Sequence, residues 1–351
     1  MSGLLRSVIG RDVPMADISP STVADSSSVA PSSDKGRWSA TQLVSRFGLL
    51  VAWVIVIVIF SVLSPAVFAT TRDLQVTLST QSVLVMLSLS LVVALAAGEY
   101  DLSVAGVLGL SYVLVGWLNV IHGWPIIPTL LVALGGGVAV GVVNALLIVG
   151  VGIDSLVATL GMGTLLAGAA IGINDISVAG VSPALVSVFR TPFLGVQMGF
   201  WFAVVLTLVC WYVLTHTPLG RYVFVVGAGR EVARLTGLRV NAIRAGSLIV
   251  ASTLAAFAGV ALSGLQGAAD PSTGPTYLLP AFACAYLGST SIQPGRFNAW
   301  GAFAAVYFLA TGITGLQILG LSGWIDQVFY GGSLIVAVIL SHMARRRTGM
   351  A

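Results

Sequence analysis

The residues best suited to chemistry are two acids in an apolar setting. Glu99 and Asp101 lie in the stretch AAGEYDLSVAG, between two apolar runs with almost no linker. Ionisable groups inside a membrane are costly and are candidates for function by default. Asp101 followed by Ser103 at a helix start equally predicts a cap, because acids favour helix N-termini. Two interpretations stay open, a capped helix break and the wall of a translocation path, and broken helices can be both.

Four further polar residues are candidates for a path through the membrane. Asn144 and Thr159 lie in apolar runs, where a polar side chain can bond a neighbouring helix or a substrate. Ser289 and Thr290 lie near the start of the irregular stretch LGSTSIQPGRFNAWG, and an irregular backbone occurs at membrane depth only against protein or water. The complete set of candidate path residues is Glu99, Asp101, Ser103, Asn144, Thr159, Ser289 and Thr290.

A polar island between two apolar runs, residues 215–244, reads THTPLGRYVFVVGAGREVARLTGLRVNAIR. Its interior is patterned like a short helix: Gly229 precedes it, Val232 and Leu235 offer an apolar face, and Gly237 can end it in a left-handed turn. We call residues 229–237 the loop helix and predict that it docks a cytoplasmic partner. Its residues are Gly229, Arg230, Glu231, Val232, Ala233, Arg234, Leu235, Thr236 and Gly237.

The composition predicts that these residues are positioned by membrane-spanning helices. Hydrophobic residues make up 57% of the 351 and charged residues 8%, against roughly 25% in soluble proteins. The fold class is therefore an all-α polytopic membrane protein of about ten transmembrane helices, the eighth a short or half span. The predicted spans are 47–67, 76–97, 102–121, 126–150, 155–173, 196–214, 245–265, 277–288, 298–317 and 327–343.

The basic residues predict the orientation, since Lys and Arg collect on the cytoplasmic side. Thirteen of the sixteen fall in the N-terminal tail, the island and the C-terminus, which an even number of spans puts on one side. Both termini are thus predicted to be cytoplasmic, and topology explains the net charge of +4 better than nucleic-acid binding. The predicted domains are a disordered tail at 1–46, rich in Ser and Pro, a transmembrane domain at 47–343 and a basic C-terminus at 344–351.

Several kinds of chemistry have no motif in this sequence. There is no GxxxxGK[ST] nucleotide loop, no His/Cys metal constellation and no catalytic triad. Cys210 and Cys284 lie in apolar runs and are expected to be packing residues. We therefore expect a membrane protein that is not an enzyme and binds no metal or cofactor of its own.

Four blocks of the chain resemble permease subunits of bacterial ABC importers for ribose and related monosaccharides. They are GEYDLSVAG (98–106), GVVNALLIVGVGIDSLVATLGMGTLLAG (141–168), TPLGRYVFVVGAGREVARLTGLRVNAIR (217–244) and YLLPAFACAYLGSTSIQPGRFNAWGAF (277–303). The resemblance covers about residues 45–343, and the third block is its most specific part. The chain departs from the family pattern at Glu99, where a glycine is usual, at Ser289 and at the Leu279-Pro280 pair.

The resemblance implies a pathway formed by two permease subunits in the cytoplasmic (inner) membrane. A separate ATPase would use ATP and dock on the loop helix, and an extracytoplasmic binding protein would deliver the sugar. Three alternatives remain open: an ABC permease for a polyol or a branched-chain amino acid, a proton-coupled secondary transporter using Glu99 or Asp101, and a channel or structural subunit.

Overall fold

The architecture is that of a helical membrane protein. The computed structural model describes residues 40–65, 68, 70–321 and 323–347. The helices of that part are α1 Ala40–Leu63, α2 Thr71–Thr80, α3 Ser82–Ala96, α4 Val104–Gly116, α5 Ile126–Ala145, α6 Ser155–Ile173, α7 Pro183–Arg190, α8 Met198–His216, α9 Pro218–Ala228, α10 Arg230–Leu235, α11 Val240–Gln266, α12 Thr273–Thr276, α13 Leu278–Gly288, α14 Ala299–Ile318 and α15 Trp324–Arg347. Helices α4 and α5 continue as π-helical turns, Trp117–Ile121 and Leu146–Val151.

Seven of the described helices are long and apolar enough to cross a membrane. The pair α2 and α3, bent by 40°, raises the number to eight if it counts as one span. Two predicted spans correspond to shorter segments, the apolar stretch Phe47–Leu63 of α1 and the eleven residues of α13. Helix α13, at the predicted short eighth span, has eleven residues, which rise only about 16 Å. The count of ten spans and the cytoplasmic termini stay predictions.

Helix α3 forms the centre of the bundle. Its sequence SVLVMLSLSLVVALA is apolar all round, and every residue except Val93 is buried. The hydroxyls of Ser88 and Ser90 donate to carbonyls of the same helix, 2.7 Å away in each case, so they need no outside partner. Helices α8, α11, α13 and α14 pack around it. Helix α3 is therefore in contact with four other helices of the bundle.

Glycines allow some of these helices to approach backbone to backbone. A Cβ on Gly288 of α13 would lie 2.3 Å from the backbone nitrogen of Ala302, and one on Gly301 of α14 would lie 2.2 Å from the Gly288 carbonyl oxygen. A Cβ on Gly259 of α11 would lie 2.4 Å from the Leu108 carbonyl oxygen of α4. Alanine does not fit at these contacts without movement of a helix.

Two short strand pairs differ from the all-α expectation. Strand β1, Val178–Ala179, pairs antiparallel with β4, Ala268–Ala269, and β2, Pro192–Phe193, pairs with β3, Val196–Gln197. The β2–β3 turn consists of Leu194 and Gly195, both with positive φ, as a two-residue type I′ hairpin requires. Strands of two residues show no hydrophobic period, so no sequence pattern predicts them.

The polar island is more helical than predicted. Helix α9 occupies its first half and is capped by Thr217, whose side chain accepts a hydrogen bond from Gly220 N at 3.3 Å. Pro218 occupies the first position of this helix, where a proline loses no intrahelical hydrogen bond and its fixed φ suits the helix. Helix α11 begins at Val240, five residues before the predicted span at 245.

The predicted terminal segments overlap helices at their inner ends. Helix α1 already begins at Ala40, inside the predicted tail 1–46, and α15 continues to Arg347, inside the predicted C-terminal segment 344–351. The remainder of the predicted tail, residues 1–39, and residues 348–351 lie outside the described part of the chain.

Candidate coupling site and helix break

The stretch 98–103, which we call the break, begins with a defined helix ending. Gly98 N donates to Leu95 O at 3.1 Å and Glu99 N to Ala94 O at 3.0 Å, the two hydrogen bonds of a Schellman motif. Gly98 has φ +77°, the left-handed conformation that this motif needs and that glycine adopts without strain. The chain therefore leaves α3 in a fixed direction.

Helix α6 holds the middle of the break. Tyr100 N donates to Ser155 Oγ at 3.3 Å, and Leu102 N donates to Thr159 Oγ1 at 3.0 Å. The Thr159 hydroxyl also lies 3.1 Å from Tyr100 O. The predicted path residue Thr159 is thus buried and engaged with the backbone of the break.

Three other candidate path residues form a buried network at the start of α4. Asp101 Oδ1 accepts from Ser103 N at 3.0 Å and from Ser103 Oγ at 2.6 Å, which is the local turn expected of an acid before a helix. Asn144 Nδ2 of α5 donates to Ser103 Oγ at 2.8 Å. Asp101 Oδ2 and Asn144 Oδ1 are buried without a hydrogen-bond partner among the described residues.

Glu99 connects the break to the polar island. Its side chain is fully buried, and its Oε1 accepts from Arg230 Nη2 at 3.0 Å and from Arg244 Nε. Arg230 Nη2 also donates to Gly98 O at 3.3 Å. The Arg244 side chain is 12% exposed and that of Arg230 45% exposed. Sequence spacing alone gave no signal for this cluster, because Glu99 lies 131 and 145 residues from its partners.

The loop helix has the predicted form. Gly229, in extended conformation, is the N-cap of α10, and Gly237 follows its end with φ +79°, which confirms the predicted left-handed turn. Ala233 is fully buried against Val226 of α9 and Val240 of α11. The small side chain of Ala233 thus lets α10 pack closely against α9 and α11.

The opposite side of the loop helix is exposed and partly apolar. Val232 is 65% exposed and Leu235 89% exposed. Glu231 and Arg234 form an exposed ion pair at 3.3 Å, and a depression of about 350 Å³ lined by Arg234 and Arg239 lies beside them. The helix presents two apolar side chains within a charged surround.

A cavity of about 820 Å³ borders the break and the polar island. Its lining includes Gly98, Tyr100, Arg221, Tyr286 and Arg296, and none of the seven candidate path residues lines it. Sequence reasoning noted the arginines for topology but did not select these residues for the site. Only Tyr100 had a sequence signal for the site, because it lies between the two predicted path residues Glu99 and Asp101.

Ser289 and Thr290 lie elsewhere, at the end of α13. The Ser289 hydroxyl donates to Tyr286 O at 2.7 Å, and the Thr290 hydroxyl donates to Leu287 O at 2.7 Å. Both hydroxyls therefore close the last turn of their helix. The structure brings five of the candidate path residues together at the break and leaves these two apart, and a path role for any of them stays a prediction.

Neither a metal centre nor a disulfide is formed by the described residues. They contain no group of three His, Cys, Asp or Glu that could hold a metal ion. Cys210 and Cys284 are free and buried.

Sequence comparison with known proteins places the chain in a family. The sequence profile described as branched-chain amino acid transport system / permease component matches residues 74–338. The D-allose transport system permease protein AlsC of Escherichia coli (strain K12) is 27% identical over 312 residues, 89% of this chain and 96% of that protein. The L-arabinose ABC transporter permease protein AraH of Azospirillum brasilense is 28% identical over 334 residues, 93% and 96% of the two chains.

The ribose import permease protein RbsC of Haemophilus influenzae is 26% identical over 294 residues, 82% of this chain and 90% of that protein. No solved structure matches. These matches confirm the resemblance to monosaccharide ABC importer permeases. The chain therefore belongs to the family of membrane permease components described as branched-chain amino acid transport system / permease component.

Proposed function

We propose that this chain is the permease subunit of an ABC importer that moves a ribose-like monosaccharide across the cytoplasmic membrane. Relatives named for allose, arabinose and ribose, each matched over most of its length, support the sugar class. The energy comes from ATP hydrolysis on a separate ATPase, since the sequence of this chain contains no nucleotide-binding motif.

The loop helix is the observation that carries the proposal. In this six-residue helix, Ala233 is buried against neighbouring helices, whereas Leu235 is 89% exposed. The helix is therefore packed on one side and presents an apolar face to a partner on the other. A topology signal alone needs the arginines but not this apolar face. Docking of an ATPase on Val232 and Leu235 accounts for the exposed apolar face as well as for the fixed position of the helix. The basic depression at Arg234 and Arg239 suits an acidic surface on the partner.

The remaining partners follow from the class of transporter. A second permease subunit, a copy of this chain or a related one, completes the pathway, and an extracytoplasmic binding protein delivers the sugar. In our proposal, closure of the ATPases moves α10, which tilts α8 and α11 and opens the pathway alternately to either side. The lipid membrane is the medium of the assembly, and nucleic acid has no part in it.

One alternative is supported by a specific observation, since the family description names branched-chain amino acids. A polyol is a third solute of suitable size. The surroundings of Glu99 argue against the proton-coupled alternative. Its Oε1 pairs with the guanidinium groups of Arg230 and Arg244, and such positive charges favour a carboxylate over a protonated acid.

Uptake by a reconstituted complex tests the proposal. The permease, its ATPase and its binding protein are placed in proteoliposomes with internal ATP and offered labelled ribose, allose, arabinose, a polyol or leucine. We expect uptake of one of the sugars that requires ATP and is insensitive to an uncoupler. Uptake of leucine or the polyol alone overturns the sugar assignment, and uncoupler-sensitive uptake without the ATPase overturns the ABC mechanism.

A further inference from the structure

We propose that Glu99 is a charged latch, a positioning residue that fastens the loop helix to the break and transmits the movement of one to the other. The inference deepens the proposed function and rests on it for its role in transport. The ATPase docking surface itself is α10, whereas the latch lies behind it, inside the protein.

The latch joins the end of α3, α10 and α11 at the adjacent residues Gly98 and Glu99. Arg230 opens α10, Arg244 lies in the second turn of α11, and both guanidinium groups meet Glu99 Oε1. Arg230 also bonds the carbonyl of Gly98. Of the three ion pairs that the described residues form, two share this carboxylate. The end of α3 and both sides of the loop helix are therefore tied to a single buried group.

The opposite side of the break is tied to different helices. Thr159 of α6 bonds the backbone of Leu102, and Asn144 of α5 bonds Ser103. A displacement of α10 thus has a continuous route through Arg230, Glu99 and the backbone of the break to α5 and α6. Coupling between distant sites is carried by such packed and hydrogen-bonded chains when an element has two arrangements.

The Glu99 carboxylate has an unused acceptor oxygen, which the two arginines could bind after a movement of α10. Glu99 Oε2 is buried and has no hydrogen-bond partner among the described residues, whereas Oε1 accepts from both arginines. An ionised carboxylate offers about four acceptor positions. When α10 moves, Arg230 or Arg244 can transfer to Oε2 while the other guanidinium keeps its bond, so the link is preserved during movement.

A purely structural ion pair is the competing explanation, and a partner-independent measurement separates the two. Hydrogen exchange of the purified permease is compared with that of Glu99→Gln, with Asp326→Asn as a control that loses one negative charge far from the break in sequence. Asp326 accepts a hydrogen bond from Gln317 at 2.8 Å. We expect about tenfold faster exchange in Glu99→Gln both at 98–103 and at 229–239. Faster exchange at 98–103 with no change at 229–239 overturns the latch.

The second measurement uses the complete transporter and records sugar imported per ATP hydrolysed. Glu99→Gln is expected to lower this ratio about tenfold with unchanged ATPase binding, and Asp326→Asn is expected to leave it unchanged. Arg230→Gln, which removes the more exposed partner, keeps the test decisive if Glu99→Gln fails to fold. Arg190→Gln is its control, since Arg190 bonds Leu265 O and lies outside the site.

The outcomes distinguish the latch from the proposed function. An unchanged ratio in both Glu99→Gln and Arg230→Gln overturns the latch. Glu99→Asp is expected to recover part of the ratio because it keeps the charge. Failure of the wild-type complex to import any sugar overturns the proposed function, and the exchange measurement then decides on the latch without an ATPase.

Discussion

Gly98 and Gly227 pack backbone against backbone, so that a Cβ added to Gly98 would lie 3.2 Å from the Cα of Gly227. This contact places the end of α9 directly on the end of α3. The polar island therefore touches the break at two points, this glycine pair and the Glu99 cluster. The first point depends on the absence of side chains and the second on charge.

Replacing Gly227 should disturb the contact through sterics alone. A Cβ at Gly227 would lie 2.2 Å from the Ala96 carbonyl oxygen, so Gly227→Ala is expected to cost about 1–3 kcal/mol of stability. Thermal unfolding with a thiol-reactive dye measures it, since both cysteines are buried. Gly168→Ala in α6 is the control, because its Cβ meets nothing within 4 Å. Equal melting temperatures for the two variants would contradict the packing argument.

The buried polar network should behave as one unit. Ser103→Ala removes the hydroxyl that donates to Asp101 and accepts from Asn144, which leaves a buried amide unpaired at about 1–3 kcal/mol. Asn144→Ala in addition is expected to cost less than the sum of the two single changes. The exposed Thr164→Ala serves as the control, expected within about 0.5 kcal/mol of the wild type. Additive losses in the double variant would show that the residues act independently.

The exposed face of the loop helix should control assembly. Leu235→Asp leaves the packing of the permease intact, because the side chain is 89% exposed, but it places a charge where an apolar contact is expected. We expect loss of ATPase co-purification with normal permease yield. Leu194→Asp is matched, since Leu194 is 77% exposed in the β2–β3 turn. Unchanged recovery of the ATPase with Leu235→Asp would exclude this face as the docking surface.

The β1–β4 pairing should depend on pH through Asp270. Hydrogen bonds from Ser177 Oγ and then from Ser272 hold the pKa of the Asp270 carboxyl below its ordinary value of 3.8. A carboxyl with a lowered folded-state pKa stabilises above its unfolded value, and the effect is lost as pH falls through the folded value. Exchange protection of the Gly180 and Val181 amides, which donate to Gly267 O, reports on the pairing.

We expect this protection, corrected for intrinsic exchange, to be lower at a pH well below 3.8 than at about pH 7 in the wild type. Asp270→Asn should be weakly protected at both values, because an amide replaces the ionised acceptor. Asp175→Asn, an exposed change two residues before Ser177 in the segment between α6 and β1, should retain the wild-type dependence. If Asp270→Asn shows the full wild-type pH dependence of exchange protection, a group other than Asp270 is responsible for that dependence.

Local patterns predicted much of the fold because their signals lie within a few residues. The loop helix was found from Gly229, Val232, Leu235 and Gly237, since capping and helical spacing are local properties. Helix α9 was missed because a proline between apolar runs indicates either a loop or a helix start. The strand pairs were missed because two residues are too few to show a period.

The sequence by itself determined a helical membrane protein, the loop helix and the candidate residues of the break, since composition and short-range spacing encode these features. Only the tertiary structure decided that Glu99 faces Arg230 and Arg244 and that Asn144 meets Ser103. Ion pairs and buried hydrogen bonds between residues 41 to 145 positions apart depend on how the helices pack. That packing is set by the summed fit of many side chains, and no single stretch of sequence contains it.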